Sequence, residues 1–510
     1  MVRGRTVWLA ALAAFVLRFP GLLWPLRPDE AGFLLVAESW QPEPGSLYGH
    51  YWVDRPPPVI WLMQACDAIG GPYLHRLVGA VGCALLVLAA AAATRELARR
   101  AGVVDPRAVR RLSGWVAIGT AAMVGNAEID PVAAKGELFG IPLVLASCWL
   151  SLRAVRRSSA VDAAWAGALA VCAIGFKQSI LGGVVFGGVL LVGSALARHL
   201  PPRAALRCAA AAVAGGLVPV GVVVGWALAE GVRLRTLWYA TVTFRSDASR
   251  VIATQDSSGA QARVWALVGV FVGAGMLFVV VALLARLPSL LRHDAVVAVA
   301  VTVSVGVDLV GVAVSGSYWT PYLFVPVPSL ALALALVVTE EHLHRRRVPL
   351  ALPTLAFAVG SCLLAISTWT VTWVHGRVPT ELRTGEAIAA AARPGDRVLV
   401  YGGRADIQWA SRASSPYPYL WSLPMRTLDP GLADLSDVLT GTDPPTWFVE
   451  ASYINTWSEL GTMPVEQSLI KKYEFVRTAC DRYRVYHLNS VDDIDIDVDC
   501  STPFRTIWGK

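Results

Sequence analysis

The sequence predicts a polytopic α-helical membrane protein that carries a small C-terminal α/β domain. Three observations predict it. The 510 residues have a mean hydropathy of +0.53 and only 16% are charged, too apolar for a soluble globular protein of this length. Apolar stretches close to the roughly 20 residues that a helix needs to cross a hydrocarbon core recur along the chain. From about Val378 that composition stops, and short strand-like runs alternate with helical ones.

The first apolar segment is preceded by MVRGR and runs into Trp24–Pro25 without a small-residue cleavage pattern, so it reads as an anchor that is retained. Ten further crossings follow, which makes about eleven: 7–26, 74–94, 112–125, 137–152, 162–176, 180–197, 208–229, 264–285, 295–314, 320–338 and 350–374. Arginines crowd the connections between alternate pairs, among them Arg95, Arg99, Arg100, Arg110 and Arg111, then Arg153, Arg156 and Arg157, then Arg198, Arg203 and Arg207. Arg286, Arg292 and the run Arg345–Arg347 continue the pattern. This is the positive-inside bias, so these ends are expected in the cytoplasm of a plasma-membrane protein. It also accounts for the net charge of +7 without a nucleic-acid partner, because no basic face is interleaved with exposed aromatics.

With the N-terminus inside, an odd number of crossings puts residues 378–510 outside, as a soluble domain attached to a membrane domain of residues 1–377. In that domain TELRTGEAIAAAA and LADLSDVL read as helices, and DRVLVYGG, TWFVEA, YEFVRTA and RYRVYHL as strands. Six of the eight cysteines lie in or beside apolar segments, while Cys480 and Cys500 lie in this polar region. An extracytoplasmic setting permits a disulfide between those two. The tail DDIDIDVD, residues 492–499, reads as an edge strand with one solvated face; a calcium site is the alternative for an external domain, although the spacing lacks an EF-hand loop.

The outer connections hold the polar groups. Residues 27–73 contain two helical pieces, AGFLLVAESW and PVIWLMQACDAI, with apolar faces suited to the membrane interface. Asn126–Glu137, residues 230–263 and residues 315–322 complete that side. They carry the acids Asp29, Glu30, Asp54, Asp130 and Glu137 and the cations Arg55, Lys135 and Arg245, with Lys177 in a tight turn beside them. One such acid alone is ordinarily a solvated loop residue, and Lys177 at a helix end reads equally well as a snorkelling side chain. Together they match one chemistry. Glycosyl transfer from a lipid-linked sugar phosphate needs cations for the anionic leaving group and a carboxylate to take the acceptor's proton. Carboxylates also stabilise oxocarbenium character in the transition state.

The order of these motifs resembles the GT-C superfamily of polyprenyl-phosphate-sugar-dependent glycosyltransferases, in the branch that includes protein O-mannosyltransferases and the aminoarabinose transferase of lipid A. PDEAGF resembles its first-loop acidic motif, and LYGHYWVDRPPPVIW its Tyr and Asp-Lys/Arg-Pro-Pro segment. NAEIDPVAAKGELFGIP resembles the second-loop acid with the helix after it, and SGSYWTPYLFVPVPSLALAL the late tyrosine motif. The resemblance covers about residues 1–375. It implies Asp29 as the catalytic base, Glu30 as its companion and Asp130 as an acid near the sugar. It implies Arg55 against the carrier phosphate, and substrate contacts from Tyr48, Asp54, Lys135, Glu137, Lys177, Arg245 and Tyr322. Thr320–Pro321 stands where family members often have a His before the Tyr, and VAAKGEL departs in a way that fits a different acceptor. The partners implied are a polyprenyl-phosphate-linked sugar, a cell-envelope acceptor and membrane lipid. The resemblance fixes no cofactor, because some members use a divalent metal and others do not, and the hard oxygen ligands here admit Mg²⁺ or Mn²⁺ at most. The alternatives are a lipid or sugar transporter or flippase, which wants charges at mid-membrane, and a non-catalytic envelope scaffold.

Overall fold

The computed structural model describes residues 4–22, 24–254, 258–345, 348–374, 376–456, 461–489 and 494–504. All eleven predicted apolar segments fall on helices. Among the described residues, seven helices are long and apolar enough to cross a membrane, and Ala160–Phe176, Gly182–Leu196 and Gly259–Gly273 are shorter apolar helices. The protein is therefore a multi-pass membrane protein with a small sheet domain after its last long helix.

Several boundaries differ from expectation, and three of the differences have a local reason. The segment expected over 264–285 is broken: one helix ends at Gly273, and Gly275 has φ +79° before the next begins at Met276. Gly275 also lies against Ala358, whose methyl would be 2.9 Å from a Cβ placed there. The helix then runs on to Ala313 through a non-helical Asp294, so a kink replaces the loop expected near residue 290. The third segment starts earlier than expected, at Pro106, because the Asp105 carboxylate caps it by accepting from the amides of Arg107 and Ala108.

The arginine-rich ends meet one another. Arg100 pairs with Asp294, Arg156 with Glu96 at 2.6 Å, Arg153 with Asp162 at 3.1 Å, and Arg286 with Glu341 at 3.1 Å. Gathering these ends together leaves the first loop, the Asn126–Glu137 connection and the Lys177 turn at the opposite ends of the same helices.

The first loop forms two helices, Pro28–Glu38 and Pro57–Gly70. Each has proline in its first turn, where the missing N–H is no loss. The second is followed by Gly71 at φ +79°.

The C-terminal domain holds a four-stranded sheet in the order β1 (Val398–Tyr401), β2 (Trp447–Glu450), β4 (Tyr483–Leu488), β3 (Tyr473–Ala479). β1 and β2 are parallel; β4 is antiparallel to both of its neighbours. Every residue of β1 and β2 is buried, which is why β1 is a continuous apolar run and β2 is apolar up to Glu450. Cys480 and Cys500 form a disulfide with Cα atoms 5.2 Å apart.

The acidic tail does not pair as a strand. Residues 492 and 493 lie outside the described residues. From Ile494 to Phe504 the chain forms neither helix nor strand, with Ile496 buried and Ile494 and Val498 packed on the domain core. Its alternation is that of one face stuck to a core, anchored by the Arg477 guanidinium on the Ile496 carbonyl, with no ladder.

Candidate active site

Asp29 and Glu30 occupy the first turn of the Pro28–Glu38 helix, about 100° apart around its axis, and they part company there. The Glu30 side chain is 0% exposed. It accepts from Arg76 Nη2 at 2.6 Å and Nε at 2.9 Å, bonds His75 Nε2 at 2.8 Å, and takes the amides of Ala134 and Arg27 at 3.0 Å each. Burial opposes its charge, but Arg76 and His75 hold it well below the usual carboxylate range. Arg76 also ties down the carbonyls of Gly21, Trp24 and Pro25. Glu30 is thus the hub of a buried network that joins the first helix end, the first loop and the second loop. Its carboxylate is enclosed by these partners.

Asp29 is open. Its side chain is 33% exposed and meets Lys135 Nζ at 2.7 Å. The other oxygen accepts from Trp421 Nε1 at 3.0 Å. Burial pushes this carboxyl up, but Lys135, Arg55 and the indole N–H outweigh it and hold it at about 2. Lys135 is raised in turn: Asp29 and Glu137 overcome the effect of its burial.

A basic cluster adjoins Asp29. Asp54 bridges two guanidiniums, Arg55 Nη1 at 2.6 Å and Arg245 Nη2 at 2.7 Å. Gln178 donates to the Asp54 carbonyl at 2.8 Å, and the Tyr48 hydroxyl donates to that of Arg55 at 2.5 Å. Lys177 pairs with Glu137 and stands 4.0 Å over the Tyr322 ring. Gly136 allows this pairing, because a Cβ there would lie 2.3 Å from the Phe176 carbonyl oxygen. Burial, then the charges of Arg55 and Arg245, bring Lys177 down to about 8 against the pull of Glu137. Arg245 is lowered by burial and by Arg55, although Asp54 opposes this. Four cations therefore face three carboxylates, which leaves the cluster net positive and suited to an anion.

Of the residues singled out from sequence, Asp29, Tyr48, Asp54, Arg55, Lys135, Glu137, Lys177, Arg245 and Tyr322 come together here. Glu30 and Asp130 do not join them as reactive groups. The Asp130 carboxylate closes its own turn by accepting from Val132 at 3.0 Å and Ala133 at 2.9 Å, and reaches the cluster only through its field on Lys135. Arg18, His75, Arg76, Gln178 and Trp421 were not anticipated. Arg18 is buried and holds the Asp130 and Ala133 carbonyls. An arginine inside an apolar run was the available signal for it; nothing local marks Trp421.

No family model and no curated protein matches the chain in sequence. Solved structures do match in shape. ArnT from Cupriavidus metallidurans bound to undecaprenyl phosphate aligns with a TM-score of 0.60 at 14% identity, over 95% of this chain and 98% of that one. The Archaeoglobus fulgidus oligosaccharyltransferase AglB, in complex with an inhibitory peptide and a dolichol-phosphate, aligns at 0.54 and 14% identity, over 96% of this chain and 74% of that one. This chain shares the fold of these two structures.

A further AglB structure, at a TM-score of 0.50, is a complex with Zn and sulfate. The side chains here do not fit such an ion. Among the described residues no group of three or more His, Cys, Asp or Glu is placed to hold a metal. Asp29, Asp54 and Glu137 each face a Lys or Arg instead.

Proposed function

We propose that this chain is an inverting glycosyltransferase that moves a hexose or pentose from a polyprenyl-phosphate carrier to a cell-envelope glycan, lipid or protein. The observation that carries the reading is the Asp29 carboxylate, the accessible member of its acidic pair, set beside a net-positive cluster of Arg55, Lys135, Lys177 and Arg245. Support comes also from the fold, one example of which is a structure bound to undecaprenyl phosphate.

In this reading Arg55, Lys177 and Arg245 take the carrier phosphate. The acceptor oxygen attacks the anomeric carbon as the bond from that carbon to the phosphate oxygen breaks. The acceptor proton goes to Asp29, and the electron pair leaves with the polyprenyl phosphate, whose charge the cations neutralise. A single displacement inverts the anomeric centre. At about 2, Asp29 is a poor base while Lys135 holds it. The incoming phosphate competes for Lys135 and raises the proton affinity of Asp29, which ties base strength to donor binding. Glu30 and Asp130 keep the frame and do no chemistry. Residues 1–377 form the catalytic membrane domain with a cytoplasmic N-terminus, and residues 378–510 lie outside beside the acceptor.

The test is reconstitution in lipid vesicles with undecaprenyl-phosphate-linked labelled hexoses and pentoses and an envelope extract from cells lacking the protein. Transfer of label into the extract is expected. Movement of the donor across the bilayer without transfer would make the chain a transporter, and neither outcome would leave a scaffold.

A further inference from the structure

The C-terminal domain touches the membrane domain in a specific place. Residues 415–421 run along the first loop: Trp52 donates its amide to the Pro418 carbonyl at 3.0 Å, Ser415 donates its own to the Tyr51 hydroxyl at 2.9 Å, and His50 Nε2 bonds the Ser415 carbonyl at 2.6 Å. Ala405 and Leu420 are buried in the same apolar cluster as Leu34, Val59 and Ile60 of the first-loop helices. At the end of this run Trp421 packs its ring on Phe33, centroids 5.5 Å apart, and its Nε1–H reaches Asp29 Oδ1 at 3.0 Å.

The approach is made possible by a missing side chain. A Cβ on Gly32 would lie 2.4 Å from the indole. The ring is thus seated in a notch one turn wide, and its single donor is spent on the one carboxylate of the acidic pair that solvent reaches.

We propose that Trp421 is a positioning residue for Asp29. Lys135 and Trp421 clamp different oxygens of the carboxylate, so its plane and the direction of its free lone pairs are fixed from two sides, one in the membrane domain and one in the C-terminal domain. Lys135 is the arm that a carrier phosphate can draw away; Trp421, an uncharged donor, stays. Transfer then depends on docking of the C-terminal domain, which supplies the last fixed contact of the base. This inference rests on the reading of Asp29 as the base.

The test compares Trp421→Phe, which keeps the ring packing and deletes the donor, with wild type, Asp29→Asn and the double variant. All are full-length and in nanodiscs, and undecaprenyl phosphate release from labelled undecaprenyl-phosphate sugars is followed with an envelope extract as acceptor. Trp421→Phe should lower kcat by roughly tenfold to a hundredfold while leaving the KM for the donor within about twofold, since the phosphate cations are untouched. Gly32→Ala, which bonds nothing in the site but must displace the indole, should do the same. In the Asp29→Asn background Trp421→Phe should add little, because it acts through the carboxylate. A Trp421→Phe enzyme with wild-type kcat, or one that costs as much with Asp29 as without it, overturns the positioning role and leaves the base standing. Full activity of Asp29→Asn alone overturns the base, and the positioning role with it.

Discussion

Asp29 and Glu30 are consecutive residues with opposite fates: the first is 33% exposed and clamped between Lys135 and Trp421, the second is 0% exposed and clamped between Arg76 and His75. A single helical step turns one acid toward the cation cluster and the other into the frame. Predictions for the two differ accordingly.

Glu30→Gln should act on stability. Arg76 would keep its burial and lose the charge that compensates it, a change that costs about 3–5 kcal/mol at buried pairs. Thermal unfolding of the purified protein in detergent should shift down accordingly. Because the folded carboxyl is depressed below its ordinary value of 4.5, its contribution is complete above that pH and is lost as pH falls further. Unfolding scans between acid and neutral pH would show this slope in wild type and a flatter one in Glu30→Gln.

Donor binding should depend on the charge of Lys177. At about 8, its ammonium is retained at neutral pH and lost as pH rises through that value. The KM for a polyprenyl-phosphate sugar should therefore rise above about pH 8, and kcat should change less. Lys177→Arg should flatten that limb, because guanidinium does not titrate there. An unchanged alkaline limb in the arginine variant would remove Lys177 from the phosphate contacts.

Gly136→Ala tests how the loops are brought together. Its Cβ would meet the Phe176 carbonyl oxygen at 2.3 Å, and backbone cannot yield as a flexible side chain can. Overpacking of this kind costs about 1–3 kcal/mol. Separation of Glu137 from Lys177 should also weaken donor binding, seen as a raised KM. A variant with native stability and native KM would show that the contact is dispensable.

The Cys480–Cys500 bond reports the side of the membrane. Disulfides persist outside the cytoplasm and are reduced within it. In intact cells these two thiols should resist alkylation until a reductant is added, as read by mass spectrometry. Free alkylation without reductant would place the C-terminal domain in the cytoplasm.

The helices were legible because each is a long, predominantly apolar run, and the sheet because β1 and β2 are buried on both faces. The break at Gly275 was not legible: a lone glycine in an apolar run looks like any other until Ala358 is known to press on it. The cluster around Arg55 could be read because its charges sit at loop positions next to helix ends, where their number on one side is visible in sequence. What could not be read is the choice between neighbours. Asp29 and Glu30 present the same local pattern, and their difference is made by Arg76 and Trp421, 46 and 392 positions away. For the same reason the C-terminal domain, expected only as an attached soluble domain, contributes a donor to the site: the Gly32 notch and the indole that fills it share no local signal.

The most direct measurement is sugar transfer by Asp29→Asn, in protein shown to be inserted and folded by its unchanged thermal unfolding. Loss of the general base should lower kcat for transfer from a polyprenyl-phosphate sugar by about a hundredfold or more, with donor binding retained through Arg55, Lys177 and Arg245. Transfer at the wild-type rate by this variant would contradict a proton acceptor at Asp29.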